Sequence, residues 1–179
     1  MKVKKLVVWL VIILFIFSLN TIVSVAKKPV EKEKPIKYET LSLFEKDPDS
    51  WQIIEKGAWG SLKYKPSGTE LEFMFHGHKL LPDTLYSLIY YPDPWPGYGL
   101  IIIGEGLSDE DGNLNIKGSE NIGDLPRSFD QNKPEGAKIW LVLSSDIDHR
   151  SYCMIGWNPA EYLFENELIK FDDIDFYQR

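Results

Sequence analysis

Gly60-Ser61-Leu62-Lys63-Tyr64-Lys65-Pro66-Ser67-Gly68-Thr69-Glu70-Leu71-Glu72-Phe73-Met74-Phe75-His76 decides the fold class of this chain. Gly60, Leu62 and Tyr64 alternate with Ser61, Lys63 and Lys65. Beyond Pro66-Ser67-Gly68, Leu71, Phe73 and Phe75 alternate with Glu70, Glu72 and His76. A period of two puts successive side chains on opposite faces of a strand, so each run has one apolar and one wet face. The Pro-Ser-Gly between them is a turn, and the whole reads as an antiparallel hairpin.

The same signal recurs on both sides. Leu85–Tyr91 is aromatic and branched, and Leu100–Ile103 is fully apolar and expected to be central. Leu114–Lys117 follows a turn at Asp109–Asn113, and Ile139–Leu143 is another unbroken apolar run, expected to be a central strand covered on both faces. Tyr162–Phe164 and Leu168–Phe171 offer a seventh and an eighth strand. Helix is suggested only weakly, at Leu43–Lys46 and Pro159–Phe164. Short strands separated by Gly, Pro and Asp turns predict an all-β domain, a sandwich or closed barrel. The sandwich, with about seven to eight antiparallel strands over residues 39–179, is the expected form. Cys153 is the only cysteine, so the Cys…Trp…Cys core of immunoglobulin domains is absent and the domain holds no internal disulfide.

The N-terminus speaks to location. Lys2, Lys4 and Lys5 precede the apolar run Leu6–Phe17, and Ser24-Val25-Ala26 closes it with small residues at the first and third places. This is the pattern of a secretory signal peptide over residues 1–26. Left uncleaved, the 21 residues Leu6–Ala26 would be long enough for a single membrane anchor with the domain outside. Export, to the cell surface or the extracellular space, is expected either way. Residues 27–38 hold five lysines, two glutamates and two prolines with little that is apolar, a solvated linker.

Charge bounds the partners. The chain has 20 basic and 27 acidic residues, and removing Lys2, Lys4 and Lys5 with the signal leaves 17 against 27, net −10. That balance argues against nucleic acid, whose affinity rests on neutralising phosphates, and against an anionic membrane surface. Contact with a membrane is expected only through an uncleaved N-terminal segment. No nucleotide loop or nucleophile elbow is present, and the sequence implies no cofactor.

Four motifs carry candidate chemistry. Tyr90-Tyr91-Pro92-Asp93-Pro94-Trp95-Pro96-Gly97-Tyr98 combines three prolines with four aromatic rings. Aromatic rings on a stiff loop suit stacking on a sugar or a peptide, so Tyr90, Tyr91, Trp95 and Tyr98 are the candidate ligand-binding residues. The alternative is a connection whose rings cap the core. Asp109, Asp111, Asn113 and Asn115 place oxygen ligands two apart around Gly112, as a calcium loop would, but the glycine is fourth rather than sixth. A hairpin turn is the simpler reading. His76 and His78, with His149, could share a metal ion but also fit a wet hairpin face. Glu105 shares the parity of Ile101 and Ile103. On an apolar face its carboxyl would be raised and able to serve a hydrolase as general acid, unless a bulge at Gly104 or Gly106 turns it outward. His149 and Cys153 are too weakly linked by spacing to make a nucleophile pair.

The stretches Tyr86–Gly97, Gly123–Pro126, Gly136–Asp146 and Gly156–Glu165 resemble uncharacterised exported β-domain proteins of archaea and some bacteria, over roughly residues 57–170. The resemblance implies an exported β-domain and carries no reaction and no catalytic residue. The sequence therefore leads to an exported, non-enzymatic domain with a binding or structural role. A carbohydrate-binding module built on residues 90–98 and a hydrolase using Glu105 are the alternatives.

Overall fold

The computed structural model describes residues 37–175; the expected signal segment 1–26 and linker residues 27–36 lie outside them. Twelve strands follow in order: β1 (Glu39–Phe44), β2 (Trp59–Tyr64), β3 (Ser67–Gly68), β4 (Leu71–His78), β5 (Leu85–Tyr91), β6 (Ile101–Leu107), β7 (Leu114–Glu120), β8 (Lys138–Leu143), β9 (Ile147–Asp148), β10 (Cys153–Met154), β11 (Leu163–Glu165) and β12 (Asp172–Asp173). Two single 3-10 turns, Ser144–Asp146 and Pro159–Glu161, are the only helical elements among the described residues. No helix there is long and apolar enough to cross a membrane.

Eight strands form one antiparallel sheet in the order β6-β5-β8-β11-β1-β2-β4-β7. The hairpin read from residues 60–76 is present, with Leu62 opposite Phe75 and Tyr64 opposite Phe73. The alternation places Leu62, Tyr64, Leu71, Phe73 and Phe75 in the interior, where they join Leu41, Leu43, Leu88, Tyr90, Ile139, Leu141 and Leu163. Each such fully buried side chain contributes about 1.5–3 kcal/mol.

The sheet curls until its two end strands, β6 and β7, lie against each other without pairing, so the two layers expected of a sandwich are continuous halves of a near-barrel. Glycines make that seam possible. A Cβ on Gly104 would meet Ile116 Cγ2 at 2.7 Å and Phe73 Cζ at 3.0 Å, and one on Gly106 would meet Leu114 Cδ1 at 2.8 Å. With no side chain on β6 at those points, the apolar side chains of β7 rest on its backbone.

A second, smaller apolar cluster covers the outer face of β5, β8 and β11. Ile89, Tyr91, Leu100, Trp140, Val142, Ile147, Met154, Tyr162 and Phe164 build it. This is why Ile139–Leu143 is apolar throughout: Leu141 faces the interior, Trp140 the outer cluster, and both are buried. Leu100–Ile103, expected to be central, instead leads into the edge strand β6; its apolarity serves the seam and the outer cluster rather than two strand neighbours. The weak helix at Leu43–Lys46 is the end of β1, and Pro159–Phe164 is a 3-10 turn running into β11. Leu168–Phe171 forms only isolated bridges, Ala137 with Ile169 and Leu125 with Phe171.

Candidate functional site

Three tryptophans gather over the outer cluster, each nearly half exposed: Trp51 (44%), Trp95 (51%) and Trp157 (45%). The rings of Trp51 and Trp157 are nearly parallel, 15° apart with centroids at 6.4 Å, while Trp95 stands at 80° to Trp157 with centroids at 5.6 Å. Beneath them, Trp157 touches Trp140, Tyr162 and Phe164 at 5.8–6.2 Å. Trp51 lies on Phe164 at 4.7 Å. The exposed rings thus rest on a buried aromatic floor that fixes their attitude.

Each ring arrives on a turn held by its own hydrogen bonds. Trp95 sits in the loop between β5 and β6. There Gly97 N–H donates to the Pro94 carbonyl at 2.9 Å, and Met154 N–H donates to that of Pro96 at 2.8 Å. Gly97 has φ +72°, and a Cβ there would strike the Tyr91 ring at 2.4 Å, so only glycine fits. Asp130 ties the loop down from below, accepting from Tyr90 Oη at 2.7 Å and from the Asp93 N–H at 3.2 Å. The Asp93 carboxylate in turn receives Asn132 Nδ2 at 2.8 Å and the Lys138 ammonium. Trp157 depends on buried Asp146, whose carboxylate accepts from Asn158 Nδ2 at 2.8 Å and from the Tyr162 hydroxyl. Trp51 follows a turn in which Asp47 Oδ1 accepts both the Ser50 N–H and its hydroxyl, and its φ is +59°. A left-handed backbone is costly for so bulky a side chain, and such strain collects where surroundings fix a functional geometry.

Two lysines border the rings. Lys46 Nζ stands 5.7 Å over Trp51 and donates to the Glu165 carbonyl at 3.0 Å, and Lys138 Nζ is 6.0 Å from the rings of both Tyr91 and Trp140. The Trp140 indole N–H and Glu165 Oε2 are buried without hydrogen-bond partners. Burial pushes the Glu165 carboxyl up to about 7, against the lowering pull of its own backbone N–H, the charges of Lys46 and Lys138, and the nearby Trp140 indole.

Of the four rings expected on the 90–98 loop, Trp95 and Tyr98 are exposed. Tyr90 is buried with its hydroxyl on Asp130, and Tyr91 is buried and stacked on Trp140 at 3.9 Å, so these two support the platform and offer no face to a ligand. Proline stiffness was legible in the sequence, but not that alternation along β5 turns Tyr90 into the interior and Tyr91 into the outer cluster. Trp51 and Trp157 were missed because they come from distant parts of the chain. Their flanks, Asp49-Ser50-Trp51 and Gly156-Trp157-Asn158-Pro159, are turn-formers, and that was the available signal for a tryptophan left at the surface.

The other candidates are local. Gly112 (φ +74°) and the Asp109 carbonyl close a turn in which Asp109 Oδ1 accepts the N–H groups of Asp111 and Asn113 at 3.0 and 2.7 Å. The Asn113 N–H holds the Asp109 carboxyl below its usual range. The Asn113 side chain donates from Nδ2 to the Asp109 carboxylate at 3.3 Å while its Oδ1 lies 3.0 Å from His78 Nδ1, and Asn115 Oδ1 lies beside His76 Nδ1. Among the described residues no three His, Cys, Asp or Glu side chains converge as metal ligands would.

Glu105 follows a bulge. Leu88 pairs with Gly104 and Ile89 with Ile102, which leaves Ile103 as the extra residue and turns Glu105 to the outer surface. Its Oε1 accepts from Ser87 Oγ at 2.6 Å and lies 3.2 Å from His149 Nε2. Burial raises its carboxyl, but hydrogen bonds from Ser87, His149 and Ser144 outweigh that, and it lies below the ordinary glutamate range rather than above it. Cys153 is buried against Ser151 Oγ at 3.3 Å, while His149 turns to Glu105.

Fold and site define an all-β domain with a tryptophan-lined outer surface. No protein-family model matches the chain, and no curated protein matches it.

Proposed function

We propose that this chain is an exported, non-enzymatic binding domain that takes carbohydrate on the surface formed by Trp51, Trp95 and Trp157. One observation carries the reading: three half-exposed indoles from separate loops meet on one patch and are held there by a buried floor. A soluble domain gains nothing in stability from leaving such rings in water, whereas sugar faces stack on them at little entropic cost because the rings are already fixed. Large exposed apolar patches mark binding surfaces. The Lys138–Asp93–Asn132 group beside Trp95 supplies the polar rim that orients hydroxyl groups. The signal-like residues 1–26 support work outside the cytosol. A Glu105 carboxyl held low by its neighbours is a poor general acid, which weighs against the hydrolase alternative that uses it as one.

A combined glycan and peptide array with the mature domain tests this, followed by titration of the hits with Trp157→Ala. The expected result is glycan binding that the variant loses at least tenfold while it still unfolds in a single cooperative transition above the assay temperature. Binding to peptides alone, or equal glycan affinity in both proteins, would refute it.

A further inference from the structure

We propose that the ligand of this surface is a single hydrated chain of an acidic polysaccharide, with sugar rings against Trp51, Trp95 and Trp157 and a uronate carboxylate at Lys46; this rests on the carbohydrate reading above. The ring geometry gives the first half. A crystalline polysaccharide offers a flat sheet of sugar faces, and only coplanar indoles can lie against it together. Trp51 and Trp157 are within 15° of parallel, but Trp95 stands at 80° to Trp157 and makes a wall. A wall beside a floor fits one chain, which can present a ring face to one indole and an edge to the other. The turns of Trp95 and Trp157 are held by hydrogen bonds to buried Asp130 and Asp146, and that of Trp51 by surface bonds between Asp47 and Ser50, so the corner does not flatten without loss of those contacts.

The charges give the second half. The chain carries 27 acidic and 20 basic residues, and both signs border these rings: Asp47 is held by Ser50, Asp146 is buried and accepts from Asn158 and Tyr162, and the ammoniums are those of Lys46 and Lys138. Lys138 is paired with Asp93. Among the described residues Lys46 makes no ion pair within 4.0 Å; its partners are the Glu165 backbone carbonyl and the Trp51 ring. Burial holds the Glu165 carboxyl toward its neutral form, so it only partly offsets Lys46 near neutral pH. An ammonium fixed above an indole face is partly stripped of water and free to make a charge-assisted hydrogen bond to an anion lying on that face.

The test titrates the domain, by quenching of tryptophan fluorescence, with oligomers of galacturonate, alginate and hyaluronate. Each is used as the free acid and with its carboxyls methyl-esterified, and retention on microcrystalline cellulose is measured in parallel. The expected result is at least tenfold tighter binding of one free acid than of its ester, weakened by added salt. Lys46→Met should abolish that preference and Lys46→Arg keep it, while Trp95→Ala should weaken both forms. Equal or tighter binding of the esters, or retention on crystalline cellulose that Trp95→Ala leaves unchanged, would overturn the inference while leaving the carbohydrate reading in place. Binding of no glycan, soluble or insoluble, would overturn both.

Discussion

Replacing Glu165 with glutamine should make the protein's stability less dependent on pH, in a direction the structure fixes. The carboxyl is pushed from 4.5 up to about 7, first by burial and against the pull of Lys46 and Lys138. Below pH 4.5 both folded and unfolded chains hold the proton and the group contributes nothing. Between there and about pH 7 the unfolded chain ionises while the folded chain resists, so stability falls as pH rises. Above 7 the loss is complete. At about 1.4 kcal/mol per pH unit the whole span is worth about 3 kcal/mol. The lowered carboxyls of Glu39, Glu72 and Asp109 change stability in the opposite sense, gaining as pH rises, and cancel when wild type and variant are compared at each pH. Urea unfolding of both proteins from pH 5 to pH 8 is the assay. The E165Q variant should gain about 2–3 kcal/mol on wild type across that range. Parallel stability profiles would show that the carboxyl titrates normally and is not buried beneath the aromatic surface.

Leu141→Ala should lower stability by about 2–5 kcal/mol in the same assay, because its side chain lies wholly in the interior between β5 and β11; a change under 1 kcal/mol would contradict a central β8. Gly104→Val should cost about 1–3 kcal/mol by forcing Ile116 and Phe73 off β6, so an unchanged melting temperature would mean the seam is open. Gly156→Ala places a Cβ 2.2 Å from Asp146 Oδ1 and should displace Trp157, read as a shift in tryptophan emission together with weaker ligand binding; wild-type emission would show that Asp146 does not position the loop. N-terminal sequencing of exported material should begin near Lys27, and a full-length chain in the membrane fraction would establish the anchor instead.

Period two in residues 60–76 was enough for the all-β class, because alternation is a local property of a strand and survives without knowledge of its neighbours. The unbroken run Ile139–Leu143 likewise announced a strand covered on both faces. Sequence also placed Trp95 and Tyr98 on a stiff loop and anticipated a bulge that turns Glu105 outward. What it left open is set by which strands meet. That β6 is an edge, and that the sheet closes on itself through Gly104 and Gly106, follows from the approach of β7, which is next in the chain but lies at the opposite end of the sheet and meets β6 only because the six strands between them curl round. The same holds for the site. Trp51, Trp95 and Trp157 are far apart in sequence and become one surface only because their turns are pinned over the outer face of β8 and β11 by Asp47, Asp130 and Asp146. Local periodicity fixes what each strand is; long-range packing, which no short window of residues encodes, decides which side chains become neighbours and which are left to meet a ligand.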